Sequence, residues 1–132
     1  MKTSMELEDL MTDIIKTRMA GVISGSVYND DRPVNSKDED ITVNVLAGRL
    51  GQKQLTTINV NIYVPDEWKQ KRYVKNRKRL NFLTKIVLEL FMNYHKDACK
   101  ITKKSQRDYA VEDENIKQHF SHIKFLIENI NF

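Results

Sequence analysis

The chain has 132 residues, 40% hydrophobic and 30% charged, which fits one soluble domain able to bury a single core without disulfide staples. Its one cysteine, Cys99, excludes an intramolecular disulfide and agrees with assembly in a reducing cytoplasm. The net charge of +4 is modest but unevenly spread.

Residues 69–79 (KQKRYVKNRKR) hold seven Lys or Arg and no acid, whereas residues 30–40 (DDRPVNSKDED) hold five acids against two bases. Oppositely charged loops of this kind can meet between copies of a chain or steer a partner. Taken alone, a charge run is more often a solvated surface. The N-terminal MELEDLMTDIIK is amphipathic and acidic, unlike the apolar centre of a secretory signal. No apolar run approaches the roughly 20 residues that span a membrane, so no membrane partner is expected.

The first element is a helix over residues 4–20. Leu7, Leu10, Met11, Ile14 and Ile15 recur at i, i+3, i+4, i+7 and i+8, the stripe of a helix packed on a core. Ser4 is the expected cap, without the reciprocal acid three residues later, where Leu7 stands. Gly21 ends the helix.

Three strands are predicted next. Residues 22–28 form the weakest, because Ser24, Gly25 and Ser26 offer little to pack; a glycine there marks a bulge or a close backbone approach. Residues 41–47 place Ile41, Val43 and Val45 on one face and Thr42 and Asn44 on the other. Residues 55–64 alternate most cleanly, with Ile58, Val60, Ile62 and Val64 opposed to Thr57, Asn59, Asn61 and Tyr63. The linker at residues 48–52 has hairpin length, so the second and third strands pair antiparallel. Their second face is Thr and Asn where a solvated face usually carries Lys and Glu, which suggests that something lies against it.

The loop at residues 29–40, with turn chemistry at Asn29-Asp30-Asp31 and Arg32-Pro33, reads as a projecting arm. Residues 65–79 read as a second irregular loop in which Trp68 and Tyr73 stand among bases. Such interleaving can serve nucleic acid, although a lone Trp more often packs on its own domain. A second helix is predicted over residues 80–94, from the stripe Leu83, Ile86, Val87, Leu90, Phe91 and Tyr94. Residues 96–107 read as a basic connection without pattern.

The C-terminal segment admits two readings. Ile116, Phe120, Ile123, Ile127 and Ile130 fit helical spacing, while Ile123, Phe125 and Ile127 alternate, in a run of mediocre helix formers.

Chemical motifs are scarce. The four glycines form no phosphate-binding loop, and no nucleophile elbow is present. His119-x-x-His122 and His95-x-x-x-Cys99 have ligand-like spacing but fall short of a zinc set, and the two histidines separate onto opposite faces if the segment is a strand. The clusters Asp38-Glu39-Asp40 and Glu112-Asp113-Glu114 lack the spacing and glycine of a calcium loop. No catalytic residue, cofactor or metal is expected.

Several strings carry a resemblance: Gly25-Ser26-Val27-Tyr28, Arg32-Pro33, Asn35-Ser36, Glu39-Asp40-Ile41-Thr42-Val43-Asn44-Val45-Leu46, Asn59-Val60-Asn61-Ile62-Tyr63-Val64-Pro65 and Arg79-Leu80-Asn81. With the order of elements, they resemble bacteriophage tail-terminator and head-to-tail joining proteins of phages and prophages from Bacteroides-type hosts. The resemblance implies a virion protein, assembled in the host cytoplasm, that forms a homo-oligomeric ring, a hexamer or dodecamer, at the neck. Its partners would be portal or connector proteins and tail proteins, with possible contact to packaged DNA. The runner-up is a small nucleic-acid-binding module using residues 69–79.

The resemblance also implies a terminal strand that joins the sheet. The expected fold is thus a single α+β domain over residues 1–132, an antiparallel sheet of about four strands packed with two helices in the order α-β-β-β-α-β. Loops at 29–40 and 65–79 would project from it. Candidate subunit-interface residues are Asp31, Arg32, Asp38, Glu39 and Asp40 in the acidic loop. Asn59, Asn61 and Tyr63 join them from the uncharged face, and Trp68, Lys75, Arg77 and Lys78 from the basic loop.

Overall fold

A computed structural model describes residues 3–49, 53–96 and 99–130. Helix α1 (Ser4–Met19) is capped by Thr3, one residue earlier than expected. The Thr3 hydroxyl accepts the Glu6 N–H at 3.1 Å and the Glu6 carboxylate accepts the Thr3 N–H at 3.3 Å, so the reciprocal acid is present after all. Strands β1 (Val27–Asn29), β2 (Ile41–Arg49) and β3 (Lys53–Pro65) follow, then the short β4 (Glu67–Lys69) and β5 (Arg72–Val74). Helix α2 (Arg77–Phe91) starts three residues before the expected boundary, at the N-cap Asn76, whose side chain accepts the Arg79 N–H at 3.1 Å. Strands β6 (His95–Lys96), β7 (Cys99–Ala110) and β8 (Gln118–Ile130) complete the chain.

The main sheet has six strands in the order β1-β2-β3-β8-β7-β6, and β4 and β5 form a separate two-stranded ribbon. The pair β1–β2 is parallel; every other pair is antiparallel. The sheet is therefore mixed and curled, and the expected four-stranded antiparallel sheet in the order α-β-β-β-α-β is wrong in strand count, strand direction and element order.

Each error has a physical origin. Strand β7 lies where a patternless connection was expected, because only Cys99 and Ile101 of it enter the core while its remaining residues are largely solvated. A strand bathed on both faces shows no alternation. Strand β1 covers only the end of residues 22–28, and the chain then crosses back through residues 30–40 to enter β2 in the same direction. The hairpin β4–β5 occupies what read as irregular loop, since its ribbon packs few apolar residues. The antiparallel pairing of β2 with β3 holds, with a register shift between Val45 and Ala47; the turn at 50–52 lies outside the described residues.

Strand β8 is the least expected neighbour. It is not appended to an edge but lies between β3 and β7, paired with β3 from Pro65↔Gln118 to Lys53↔Ile130. Ile123, Phe125 and Ile127 are fully buried, so the alternation in this segment, not its coincidental helical spacing, reports its structure.

Both helices pack on one face, α1 over β1 and β2, α2 over β3, β7 and β8. Leu7, Met11, Ile15 and Met19 of α1 and Leu83, Val87 and Phe91 of α2 meet Ile41, Val43, Ile58, Val60, Ile62 and Phe125 in one core. Phe91 and Phe125 contact edge-on with centroids 5.2 Å apart. Among the described residues no helix is long and apolar enough to cross a membrane.

Candidate functional site

The acidic loop is held to its own domain. Asp40 is 1% exposed; its carboxylate accepts the Ser26 N–H at 3.2 Å, the Ser36 hydroxyl, and Arg32 Nη1 at 3.4 Å. Arg32 also donates to Gln118 Oε1 at 2.7 Å and lies 3.8 Å over the Tyr63 ring. Gly25 sits against this knot, where a Cβ would stand 1.9 Å from Asp40 Oδ1 and 2.5 Å from the Glu39 carbonyl oxygen. Only glycine allows that approach.

Glu39 forms a fork with Arg79, at 2.7 Å to Nε and 2.9 Å to Nη2, and Arg79 also donates to the Val22 carbonyl. The hydrogen bonds of Glu39 hold the Arg79 guanidinium protonated above its ordinary range. Acid and base from the two oppositely charged loops thus meet inside one subunit. Of the five acidic-loop candidates, Arg32, Glu39 and Asp40 serve the fold, Asp38 is exposed but its carbonyl accepts from Gln118, and Asp31 stays exposed.

The basic stretch behaves otherwise. Hairpin β4–β5 turns through Gln70 and Lys71, both at positive φ (50° and 63°), the pairing of a tight primed turn. Neither is glycine or asparagine, so the turn carries strain. It holds Trp68 and Tyr73 edge-on at 4.9 Å, with Trp68 62% and Tyr73 51% exposed. Lys71 and Arg72 flank the pair.

Immediately after the hairpin, Lys75 pairs with Asp108 of β7 at 3.3 Å. The exposed Arg77 and Lys78 open the first turn of α2, where no acid offsets the positive end of the helix dipole. These three bases line a groove of about 460 Å³ shared with Gln106 and Asp108. The start of α2 and β7 therefore share one basic side, with the hairpin leading into it.

That side includes an open sheet edge. Beyond Ile101 no strand pairs with the outer side of β7 among the described residues, and residues 103–105 and 107–110 are exposed. Lys103, Lys104 and Arg107 lie along it, beside a register shift between Lys103 and Ser105. Charges and a bulge are how natural edges resist indiscriminate pairing. These three bases fell in the segment read as a connection, and its excess of Lys and Arg was the signal available.

The opposite side carries a cluster of acids. Asp9, Asp13, Asp30 and Asp31 are exposed around β1 and the first turns of α1, while Lys16 and Arg18 are exposed in the last turn of that helix. Asn29 Nδ2 donates to Asp9 Oδ1 at 2.8 Å and ties the helix to the sheet edge. Burial, and then the neighbouring Asp30 carboxylate, raise the Glu8 carboxyl above its ordinary range.

The open face of the sheet carries Asn59, Asn61 and Tyr63 as expected, but β8 and β7 add His122, Lys124, Phe120 and Tyr109, so it is not uncharged. His122 Nδ1 lies 2.6 Å from Asn61 Oδ1, and burial followed by Lys124 pushes the imidazole pKa below its ordinary value. Tyr63, Phe120 and Tyr109 form a row with centroids 5.1 and 5.5 Å apart. Most of this face is half-buried, and the shielded Asn44 and Asn59 Oδ1 atoms have no hydrogen-bond partner.

His119 and His122 lie on opposite faces of β8, and His119 Nδ1 contacts Asp66 at 2.7 Å. Among the described residues no three His, Cys, Asp or Glu side chains group to hold a metal ion. No protein-family model matches the chain, and no curated protein matches it significantly.

Proposed function

We propose that the chain is a structural subunit that associates head to tail into a ring at the neck of a tailed phage, joining the portal complex to the tail. The observation that supports it is the opposite charge of the two ends of the sheet. Asp9, Asp30 and Asp31 lie around β1, while Lys103, Lys104 and Arg107 line the open edge of β7. A ring needs two different patches that meet on adjacent copies, and complementary potential sets which patches meet. The likeness of the Gly25–Tyr28, Glu39–Leu46 and Asn59–Pro65 strings to tail-terminator and head-to-tail joining proteins supplies the virion setting.

The test is negative-stain imaging with native mass spectrometry of the purified protein. Closed rings of one copy number are expected at about 0.1 M salt, with dissociation toward about 1 M, where screening shortens from about 10 to about 3 Å. A monomer at every concentration and salt contradicts the reading. A nucleic-acid-binding module is the competing reading, favoured by the bases beside exposed Trp68 and Tyr73. A salt-sensitive gel shift by a monomer would select it.

A further inference from the structure

We infer that copies of this chain join by backbone pairing. Strand β1 of one copy adds antiparallel to residues 106–110 on the open edge of β7 of the next, with Asn29 opposite Asp108. The inference rests on the head-to-tail reading and names the strands that meet.

Both edges carry backbone groups that find no partner among the described residues. Val111 donates its N–H to the Gln118 carbonyl at 3.0 Å, toward β8. By the two-residue period of a strand, Ala110, Asp108 and Gln106 turn their N–H and C=O groups the other way, to the edge. On β1, Asp30 donates to the Val43 carbonyl and the Ser26 carbonyl accepts from Ile41, so Val27 and Asn29 turn theirs away from β2. Strands β1 and β7 run in opposite directions in the sheet. A second copy rotated about a ring axis therefore brings them together antiparallel, through two different patches.

Side chains select the register. With Asn29 opposite Asp108 and Val27 opposite Ala110, the unpaired groups face each other and Tyr28 comes opposite Tyr109. Tyr28 alternates with the buried Val27 and stands level with Thr42, so it lies on the open face of the sheet, as Tyr109 does. The row Tyr63, Phe120, Tyr109, with centroids 5.1 and 5.5 Å apart, stops at the sheet edge with Tyr109 43% exposed. Tyr28 of the next copy continues that row in a non-hydrogen-bonded pair, where side chains approach most closely. On the helix side, Asn29 brings the Asp9 it holds at 2.8 Å toward the Lys75 that Asp108 holds at 3.3 Å. Asp30, at φ 65°, follows the end of β1, so the added strand stops short of β6. A slip of two residues loses the tyrosine pair.

Two readouts test the pairing. Tyr28→Cys with Tyr109→Cys places two thiols at a cross-strand spacing that a disulfide spans, and the native Cys99 is buried. Mild oxidation of the assembled double variant is expected to give a ladder of covalent multimers. Tyr28→Cys with Arg107→Cys, two residues out of register, is expected to give none. Ala110→Pro removes an edge N–H that the free subunit does not use. It is expected to leave Tm unchanged and to weaken association by about 10-fold, the effect of one hydrogen bond.

Rings that form with a neutral Ala110→Pro and no link between positions 28 and 109 overturn the strand pairing and leave the ring intact. Dimers linked through Tyr109→Cys alone overturn it in favour of two β7 edges paired about a two-fold axis. A monomer at every concentration overturns both.

Discussion

Residues 29–40 and 65–79 look alike in sequence, each a polar stretch dense in one charge, yet the fold treats them oppositely. The acidic stretch is drawn inward: Asp40 is buried under three donors and Glu39 is forked to Arg79. The basic stretch is turned outward, into a ribbon that displays Trp68 and Tyr73 and a helix start that displays Arg77 and Lys78. The difference lies in what each charge meets. A carboxylate that finds donors on its own chain becomes a brace, whereas a cation without a nearby acid stays available to a partner.

Breaking the inward stretch should have the largest effect. Asp40→Ala leaves Arg32 without its buried carboxylate and should cost about 3–5 kcal/mol in chemical denaturation, releasing the loop to protease. Gly25→Ala drives a methyl into Asp40 and the Glu39 carbonyl and should cost about 1–3 kcal/mol. An unchanged midpoint for either variant would show that the acidic stretch is not a brace.

The outward stretch should respond in the other direction. Replacing Gln70-Lys71 by Asn-Gly fits the positive φ angles and should stabilise the fold by about 1 kcal/mol. The smallest effect should come from Glu8. Its folded pKa lies above the unfolded value, so the folded state binds the proton more tightly, and stability falls as pH rises from the unfolded pKa through the folded one. Glu8→Gln should flatten that slope and slightly raise Tm at pH 7, with no gain at pH 4.

Much of the frame could be read from periodicity. The stripes of α1 and α2 and the alternation of β3 reflect elements with one buried face, and β8 yields to the same logic in Ile123, Phe125 and Ile127. What escaped lacks such a face. Strand β7 buries only Cys99 and Ile101 of its length, and the β4–β5 ribbon packs mainly on itself, so neither imposes a period on its residues. The place of β8 between β3 and β7 is set by long-range pairing, which no local pattern encodes.

The basic side was half legible through Lys75, Arg77 and Lys78, and Lys103, Lys104 and Arg107 complete it across the fold. On the acidic side Asp31 was legible as a loop acid, whereas Asp9 and Asp13 lie in a helix whose apolar stripe drew the attention. The nearness of Asp9 to Asp30 exists only once α1 packs on β1.

The claim that the two charged ends meet is tested most directly by exchanging their signs on separate subunits. One variant carries Lys103→Glu with Arg107→Glu, so both its ends are acidic; the other carries Asp9→Lys, Asp13→Lys and Asp31→Lys, so both are basic. Native mass spectrometry should find each alone as monomer and their equimolar mixture as rings of even copy number with equal numbers of the two. Rings formed by either variant alone, or a mixture that stays monomeric while the unaltered chain assembles, would contradict the account.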